Sequence, residues 1–275
     1  MTADWMAVRV QPGSRRDAVL QALFASGVQA VQEVDDGFST SVAGVTTADL
    51  LAKAVMVASP DATVDVRPAP KVDWTEKWKA SIRSHDLGRL VVCPPWLADN
   101  EDVERRIVIE PAMAFGTGEH ETTRGVLRLM QRVIRPGDRV ADLGAGSAVL
   151  AIAAIKLGAG SAIAIELDHD AIENAEQNVA RNGVSDRVTV IEGDASVFLG
   201  LVAPVHVITA NIISPVLRQL LPIMAESLAP DGRAILSGIL ESERPEMIAE
   251  LEAAGWRIDG DDRDDAWWSV IVSRA

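Results

Sequence analysis

Asp142, Gly144, Gly146 and Glu166 are the residues whose types and spacing point to chemistry. They lie in RVADLGAGSAVLAIAAIKLGAGSAIAIELD, residues 139–168. Glycines let a backbone approach a ligand closely, and a terminal acid can accept both hydroxyls of a ribose. Asp142 narrows the choice of ligand. In dinucleotide fingerprints the position two before the first glycine normally belongs to an apolar strand and faces no cation. An acid there, pointing at the loop, suits a ligand with an ammonium group. S-adenosylmethionine (AdoMet) carries an ammonium, a sulfonium and a ribose diol, so Asp142 and Glu166 together favour AdoMet over NAD. The competing reading is an ordinary βαβ unit with a glycine turn and two solvated strand-end acids. Ala148 stands at the third small position, where glycine is common; its methyl either tightens helix–strand packing or crowds the methionine end of the ligand.

The elements that must position these residues follow from hydrophobic periodicity. Residues 140–143 predict a buried strand, 147–157 an apolar helix closed by Gly158, and 162–165 a second strand ending in Glu166. Beyond residue 121, helices and strands alternate. Further strands are expected at 188–191, 205–210 and 234–239, with helices at 170–181, 215–228 and 243–253. Such alternation implies a mostly parallel sheet covered on both faces, a Rossmann-like α/β fold. Residues 267–272 predict an antiparallel edge strand. The first seventy residues differ, with strands at 5–10, 28–34, 38–43 and 62–67 and helices at 14–26 and 47–58. A turn at 35–37 joins the second and third strands. That β-α-β-β-α-β order is the ferredoxin-like split α+β arrangement.

Pro68-Ala69-Pro70 marks a linker. Residues 73–82 predict a helix with Trp74 and Trp78 on one face, for core packing or for holding two domains together. Strands are expected at 90–93 and 106–109. The expected organisation is a ferredoxin-like recognition domain (1–67), a linker helix with connecting strands (68–100) and a nucleotide-binding domain (101–275).

Bulk composition restricts the partners. The net charge is −14, with no block of lysines or arginines. Phosphate neutralisation supplies most nucleic-acid affinity, so direct nucleic-acid binding is not expected, whereas a basic protein partner is compatible. The acidic run 261–265 reads as a solvated loop, or as an attraction for such a partner. One cysteine, Cys93, fits a reducing cytosol, and the four histidines show no metal-ligand spacing. No apolar run is long enough to span a membrane and MTADWMAVRV carries no secretory pattern, so a cytoplasmic protein without a metal is expected, and a monomer.

A second motif, AFGTGEHETT at 114–123, places Gly116 and Gly118 around Thr117, so that backbone amides can turn toward an anion. The plainer reading is a glycine loop capped by Thr122 or Thr123. FGTGEHETT, with DLGAGSAVLAIAAIKLGA, ANII at 210–213 and LSGIL at 236–240, resembles the PrmA family. Those enzymes methylate lysines of large-subunit ribosomal protein eleven. The resemblance covers nearly the whole chain, including the small N-terminal domain and the DWTEKW helix.

The resemblance implies that Thr117, Gly118 and neighbouring amides hold the methionine carboxylate, and that Asp142, Gly144 and Gly146 line the methionine and ribose. It implies that Glu166, more often aspartate in the family, binds the ribose hydroxyls. Asp194 would meet the adenine amino group, or else cap a helix. Asn211 would lie beside the transferred methyl and is the catalytic candidate. Free lysine has a pKa of about 10.4 and is almost fully protonated at neutral pH. A partly desolvated site lowers that value, and the side-chain oxygen of Asn211 can orient the amine. Ile212 and Ile213 stand where amine methyltransferases often carry prolines. His120 is either structural or aids proton removal. The rival readings are a methyltransferase of another protein or small amine, a non-catalytic nucleotide-binding regulator, and an NAD-dependent oxidoreductase.

Overall fold

The computed structural model describes residues 5–28, 30–34, 36–69, 82–111 and 118–275. The chain divides into two compact units, Met1–Lys79 and Ala80–Ala275.

The first unit runs β1 (Trp5–Gln11), α1 (Arg16–Ala25), β2 (Gln32–Val34), β3 (Gly37–Ala43), α2 (Val45–Ala58) and β4 (Thr63–Pro68). Its antiparallel sheet has the order β2-β3-β1-β4, the split arrangement expected from the alternating pattern. Period-two alternation sends Met6, Val8, Val10, Phe38 and Val42 to one face, where Val19, Leu23, Leu51 and Val55 of the two helices cover them. The strand expected at 28–34 is shorter than its apolar pattern suggested, and only Gln32–Val34 pairs with β3. Val28 turns into the core, and the Thr40 hydroxyl donates to the Ala30 carbonyl at 2.7 Å where no backbone ladder forms. Asp35 of the expected turn lies outside the described residues, as does nearly all of the helix expected at 73–82, with Trp74 and Trp78.

The second unit opens with a small sheet of β5 (His85–Asp86), β6 (Val91–Cys93) and β7 (Arg106–Val108), with a 3₁₀ turn at Pro95–Asn100. It continues through α3 (Glu121–Val133), β8 (Arg139–Leu143), α4 (Val149–Lys156), β9 (Ser161–Glu166), α5 (His169–Arg181), β10 (Val188–Glu192), α6 (Ala195–Val202), β11 (Val205–Asn211), α7 (Ser214–Ser227), β12 (Leu228–Leu240), α8 (Arg244–Ala253), β13 (Trp256–Asp264) and β14 (Trp267–Arg274). The large sheet has the order β10-β9-β8-β11-β12-β14-β13, parallel except for the last two strands.

Apolar side chains of α3, α4 and α5 fill one face of this sheet, and those of α6, α7 and α8 the other. Leu90, Val92, Ile107 and Ile109 belong to the first of these cores. The strands at 90–93 and 106–109 are therefore built into the second unit, and the expected boundary at 100/101 cuts through its packing.

Three elements escaped the periodicity, β5, α6 and β13. The acidic run expected as a loop is mostly strand: Asp261, Asp262 and Asp264 sit in β13. Arg128 holds Asp262 at 2.5 and 2.9 Å and Asp264 at 3.0 Å, while Arg124 reaches Asp264 at 3.4 Å. These acids staple an edge strand to α3, and charge along an edge also discourages pairing with other sheets. They are not a free acidic surface. No helix among the described residues is long and apolar enough to cross a membrane.

Candidate functional site

Strand order reverses between β8 and β11, and in open parallel sheets the crevice outside the strand ends at such a point is where ligands bind. After Leu143 the chain takes positive φ at Gly144 (65°), Gly146 (51°) and Ala148 (62°). This reversing path turns amides inward: Gly144 and Ala145 both donate to the Ile165 carbonyl, at 2.9 and 3.1 Å. Ala148 is fully buried, and its left-handed backbone costs about 1–2 kcal/mol relative to a glycine.

Glu166, at the end of β9, closes this loop. Its Oε2 accepts from Gly146 N at 2.7 Å and its Oε1 from Asp168 N at 2.9 Å. A carboxylate offers about four acceptor sites, so about two remain for hydroxyls of a ligand. Beside it opens a cavity of about 430 Å³, a size suited to a nucleoside-sized guest. Gly144, Gly146 and Glu166 form one wall, and His120 and Thr122 at the start of α3 another. Asn211, Ile212, Ile213 and Val216, with Gly238 and Trp267, complete it.

Asp142 is placed otherwise than expected. Its side chain is fully buried and does not line the cavity. Oδ1 accepts from the Thr209 hydroxyl at 2.7 Å and Oδ2 from Ala151 N at 3.2 Å. The residue ties β8 to β11 and α4 beneath the glycine loop, behind the residues that line the cavity. Burial pushes its carboxyl up to about 7; the bonds from Thr209 and Ala151 oppose that shift, and the charge of Glu166 adds to it.

Asn211 ends β11 in the cavity wall. Its Nδ2 donates to Thr123 Oγ1 at 3.3 Å, and its Oδ1 has no partner among the described residues. Ile212 is clasped between two glycines. A Cβ on Gly144 would lie 2.6 Å from Ile212 Cγ2, and one on Gly238 would collide with the Ile212 carbonyl oxygen. Gly238 also has φ of 81°, so this position in LSGIL admits neither a side chain nor an ordinary strand backbone.

Other expected site residues fall elsewhere. Asp194 is the N-cap of α6, accepting from Ser196 N at 2.8 Å, and its hydrogen bonds to Ser196 hold its carboxyl below the usual range. It does not line the cavity. Gly118, with φ of 87°, packs against Val92, whose Cγ1 would be 2.5 Å from an added Cβ. Thr117 and the rest of 112–117 lie outside the described residues. His120 is the N-cap of α3, its Nδ1 accepting from Thr122 N at 3.3 Å, with its ring edge-on to Trp267 at 5.1 Å.

Asn178 was not anticipated. Fully buried on α5, it accepts from Glu110 N at 2.9 Å and donates to the Ser147 carbonyl at 3.2 Å. It thereby fixes the glycine loop to the segment that enters 112–117. Asn182, one turn on, exchanges bonds of 2.8 and 2.7 Å with the backbone of Val108. Asparagines at 174, 178 and 182 share one helical face, and that spacing was the available signal.

The arrangement offers hydrogen-bond acceptors for a diol, an amide oxygen without a partner among the described residues for an amine, and an apolar rim. Among the described residues no cluster of three or more metal-ligating side chains occurs. The sequence profile described as Ribosomal protein L11 methyltransferase (PrmA) matches residues 15–275. A Ribosomal protein L11 methyltransferase of Synechococcus sp. (strain RCC307) is 34% identical over 275 residues, 98% of this chain and 88% of the relative. One from Thermus thermophilus is 43% identical over 185 residues, 67% of this chain and 71% of the relative. The crystal structure of a ribosomal protein L11 methylase from Lactobacillus delbrueckii subsp. bulgaricus superposes with a TM-score of 0.62 at 32% identity, covering 70% of this chain and 99% of that one.

Proposed function

The chain belongs to the ribosomal protein L11 methyltransferase (PrmA) family, and on that premise we propose that the cavity at the β8–β11 switch point is where it methylates amines of ribosomal protein L11. It is an AdoMet-dependent protein methyltransferase. The observation that carries the site reading is one cavity with a Glu166 carboxylate that keeps acceptor capacity on one wall and the unpartnered Asn211 Oδ1 on the other. The residues present fit AdoMet: Glu166 would hold the ribose, the amides around Gly144 and Gly146 would approach the ligand backbone-first, and Asn211 would stand at the acceptor side. When bound, AdoMet supplies an electrophilic methyl on a sulfonium.

The protein's own part is positioning and desolvation. Ile212, Ile213 and Val216 exclude water around the acceptor, which favours the neutral amine over its ammonium form. Asn211 Oδ1 accepts an N–H of that amine and so aims its lone pair. We assign lysine side chains as acceptors and the first unit as the module that recognises the acceptor protein. The charge of −14 suits a basic substrate, and we read the enzyme as a cytoplasmic monomer without direct nucleic-acid contact.

The test is incubation of the full chain with labelled AdoMet and purified ribosomal protein L11, followed by mass spectrometry of the product. Label on L11 lysines is expected. Asn211→Ala should lower turnover far more than AdoMet affinity. Label on a free amine but not on L11 would move the assignment to a small-molecule methyltransferase, and equal losses in rate and AdoMet binding would place Asn211 in the cofactor shell.

A further inference from the structure

Among the described residues, one sheet edge of the first unit has no partner strand along part of its length. The β2 ladder reaches β3 only as far as Ser39, whereas β1 pairs with β3 through Ala43. Residues 40–43 are therefore paired with β1 on one side and, among the described residues, have no ladder partner on the other. In an antiparallel strand every second residue turns its N–H and C=O to a given side, so two of these four residues present unpaired backbone groups.

Two other edges of the same protein are protected. On β4 the open edge carries an Asp65–Arg67 ion pair at 2.8 Å and ends in Pro68. The β13 edge of the large sheet carries Asp259, Asp261, Asp262 and Asp264. Charge and proline are the usual devices against unwanted strand pairing, and neither occurs at 40–43.

A groove of about 520 Å³ runs along this edge. Trp5, Val28 and Ala30 line it with Ser39, Ser41 and Ala43 of β3, and none of its described lining residues is charged. In a chain that is 24% charged, such a surface suits a guest recognised through its backbone. Trp5, 56% exposed and opposite Ala43 in the ladder, gives an apolar shelf at one end.

We propose that the open edge of β3, residues 40–43, pairs with an extended segment of the acceptor protein, adding a strand to the four-stranded sheet. This rests on reading the substrate as a protein. Strand addition obtains affinity from main-chain hydrogen bonds and leaves the guest's side chains on alternate faces. Lysines of the acceptor thus stay free beside an uncharged groove. A second copy of this chain is the poorer occupant, because edge-to-edge pairing over four residues falls well below the roughly 1,200 Å² that a stable interface buries.

Hydrogen exchange on the full chain, with and without saturating purified ribosomal protein L11, tests the pairing. The outward amides of 40–43 should slow by about ten-fold or more with L11 and stay unchanged with AdoMet alone. Ser41→Lys and Ala43→Lys place edge-protecting charges on exposed positions. Each should raise KM for L11 by about ten-fold, leaving kcat, AdoMet affinity and Tm unaltered. Methylation of L11 with an unprotected edge and normal KM in both variants would overturn the proposal while leaving the function standing. Failure of the wild-type chain to methylate L11 would remove the function and this proposal together. Protection of 40–43 without L11, with a dimer in light scattering, would give the edge to a second copy.

Discussion

Replacing Asp142 by Asn tests the electrostatics beneath the glycine loop. Asp142 is fully buried, and its carboxyl stands at about 7 against an ordinary 3.8, chiefly through desolvation. A folded-state pKa above the unfolded one means that the fold prefers the protonated acid. Its stability contribution is intact below pH 4, is lost as pH rises toward 7, and is level above that. About three units at about 1.4 kcal/mol each give roughly 4 kcal/mol of lost stability at pH 8, an upper bound because relaxation around the charge reduces it. Between pH 5 and pH 8 the accessible part is about 3 kcal/mol.

The Asp142→Asn side chain would keep the shape: its oxygen can take the Ala151 N–H, and its NH₂ can donate to Thr209 Oγ1, which then accepts. Urea unfolding of the AdoMet-free protein, followed by tryptophan fluorescence with Trp256 and Trp268 buried in the second unit, reads the difference. The Asp142→Asn protein should gain on wild type by about 2–3 kcal/mol between pH 5 and pH 8, and little of that gain should appear at pH 4. A stability difference that is constant from pH 4 to pH 8 would refute the reasoning, since Asp142 would then be ionised throughout and satisfied by its two hydrogen bonds.

Three further substitutions probe the cavity and the loop beside it. Glu166→Ala removes the proposed ribose acceptor and should weaken AdoMet binding by about 1–3 kcal/mol in calorimetry; undiminished affinity would sink the assignment. Gly238→Ala forces a Cβ onto the Ile212 carbonyl at a φ of 81°, so Asn211 and Ile212 must shift. Turnover should fall at least about ten-fold with stability down by about 1–3 kcal/mol, and wild-type kinetics would show that the Asn211–Ile212 turn does not position the acceptor. Ala148→Gly relieves about 1–2 kcal/mol of left-handed strain and forfeits about 0.8 kcal/mol of buried methyl, so the net change in stability should lie within about 1 kcal/mol of zero. Denaturant unfolding showing a loss beyond about 2 kcal/mol would mean that the methyl is a packing anchor whose removal leaves a cavity.

The parallel core was legible because its strands are buried on both faces and so read as short apolar runs: VADL, AIAI and HVITA each stand out from their flanks. β13 was not legible for the opposite reason. Trp256–Asp264 is an edge strand whose charges serve to hold Arg124 and Arg128 and to deter pairing, so neither alternation nor apolarity marks it. β2 fell short because apolar residues at 28 and 31 are equally consistent with a strand and with a chain that dips into the core. Along the linker, strands β6 and β7 are rich in apolar residues, yet only the packing reveals that they face α3 and α4.

The site shows where such reading stops. Glycine spacing and a terminal acid located the loop and Glu166, since both are local features of one βαβ unit. Asp142 depends on a distant strand. Its register partner in β11 is Thr209, a hydroxyl 67 residues away, and the strand order that makes them neighbours is not written near either residue. Once that hydroxyl and the Ala151 amide are present, the acid has two protein donors within the fold. The same holds for Gly238, whose missing side chain is explained only by Ile212 crossing above it. A glycine inside an otherwise apolar strand such as AILSGIL is nevertheless a usable signal of close backbone approach. It identifies the crossing, though not the crossing partner. The Asn211–Ile212 turn thus owes its position to one glycine just after β8 and another within β12, and that wall of the cavity is set by contacts between distant segments rather than by any one motif.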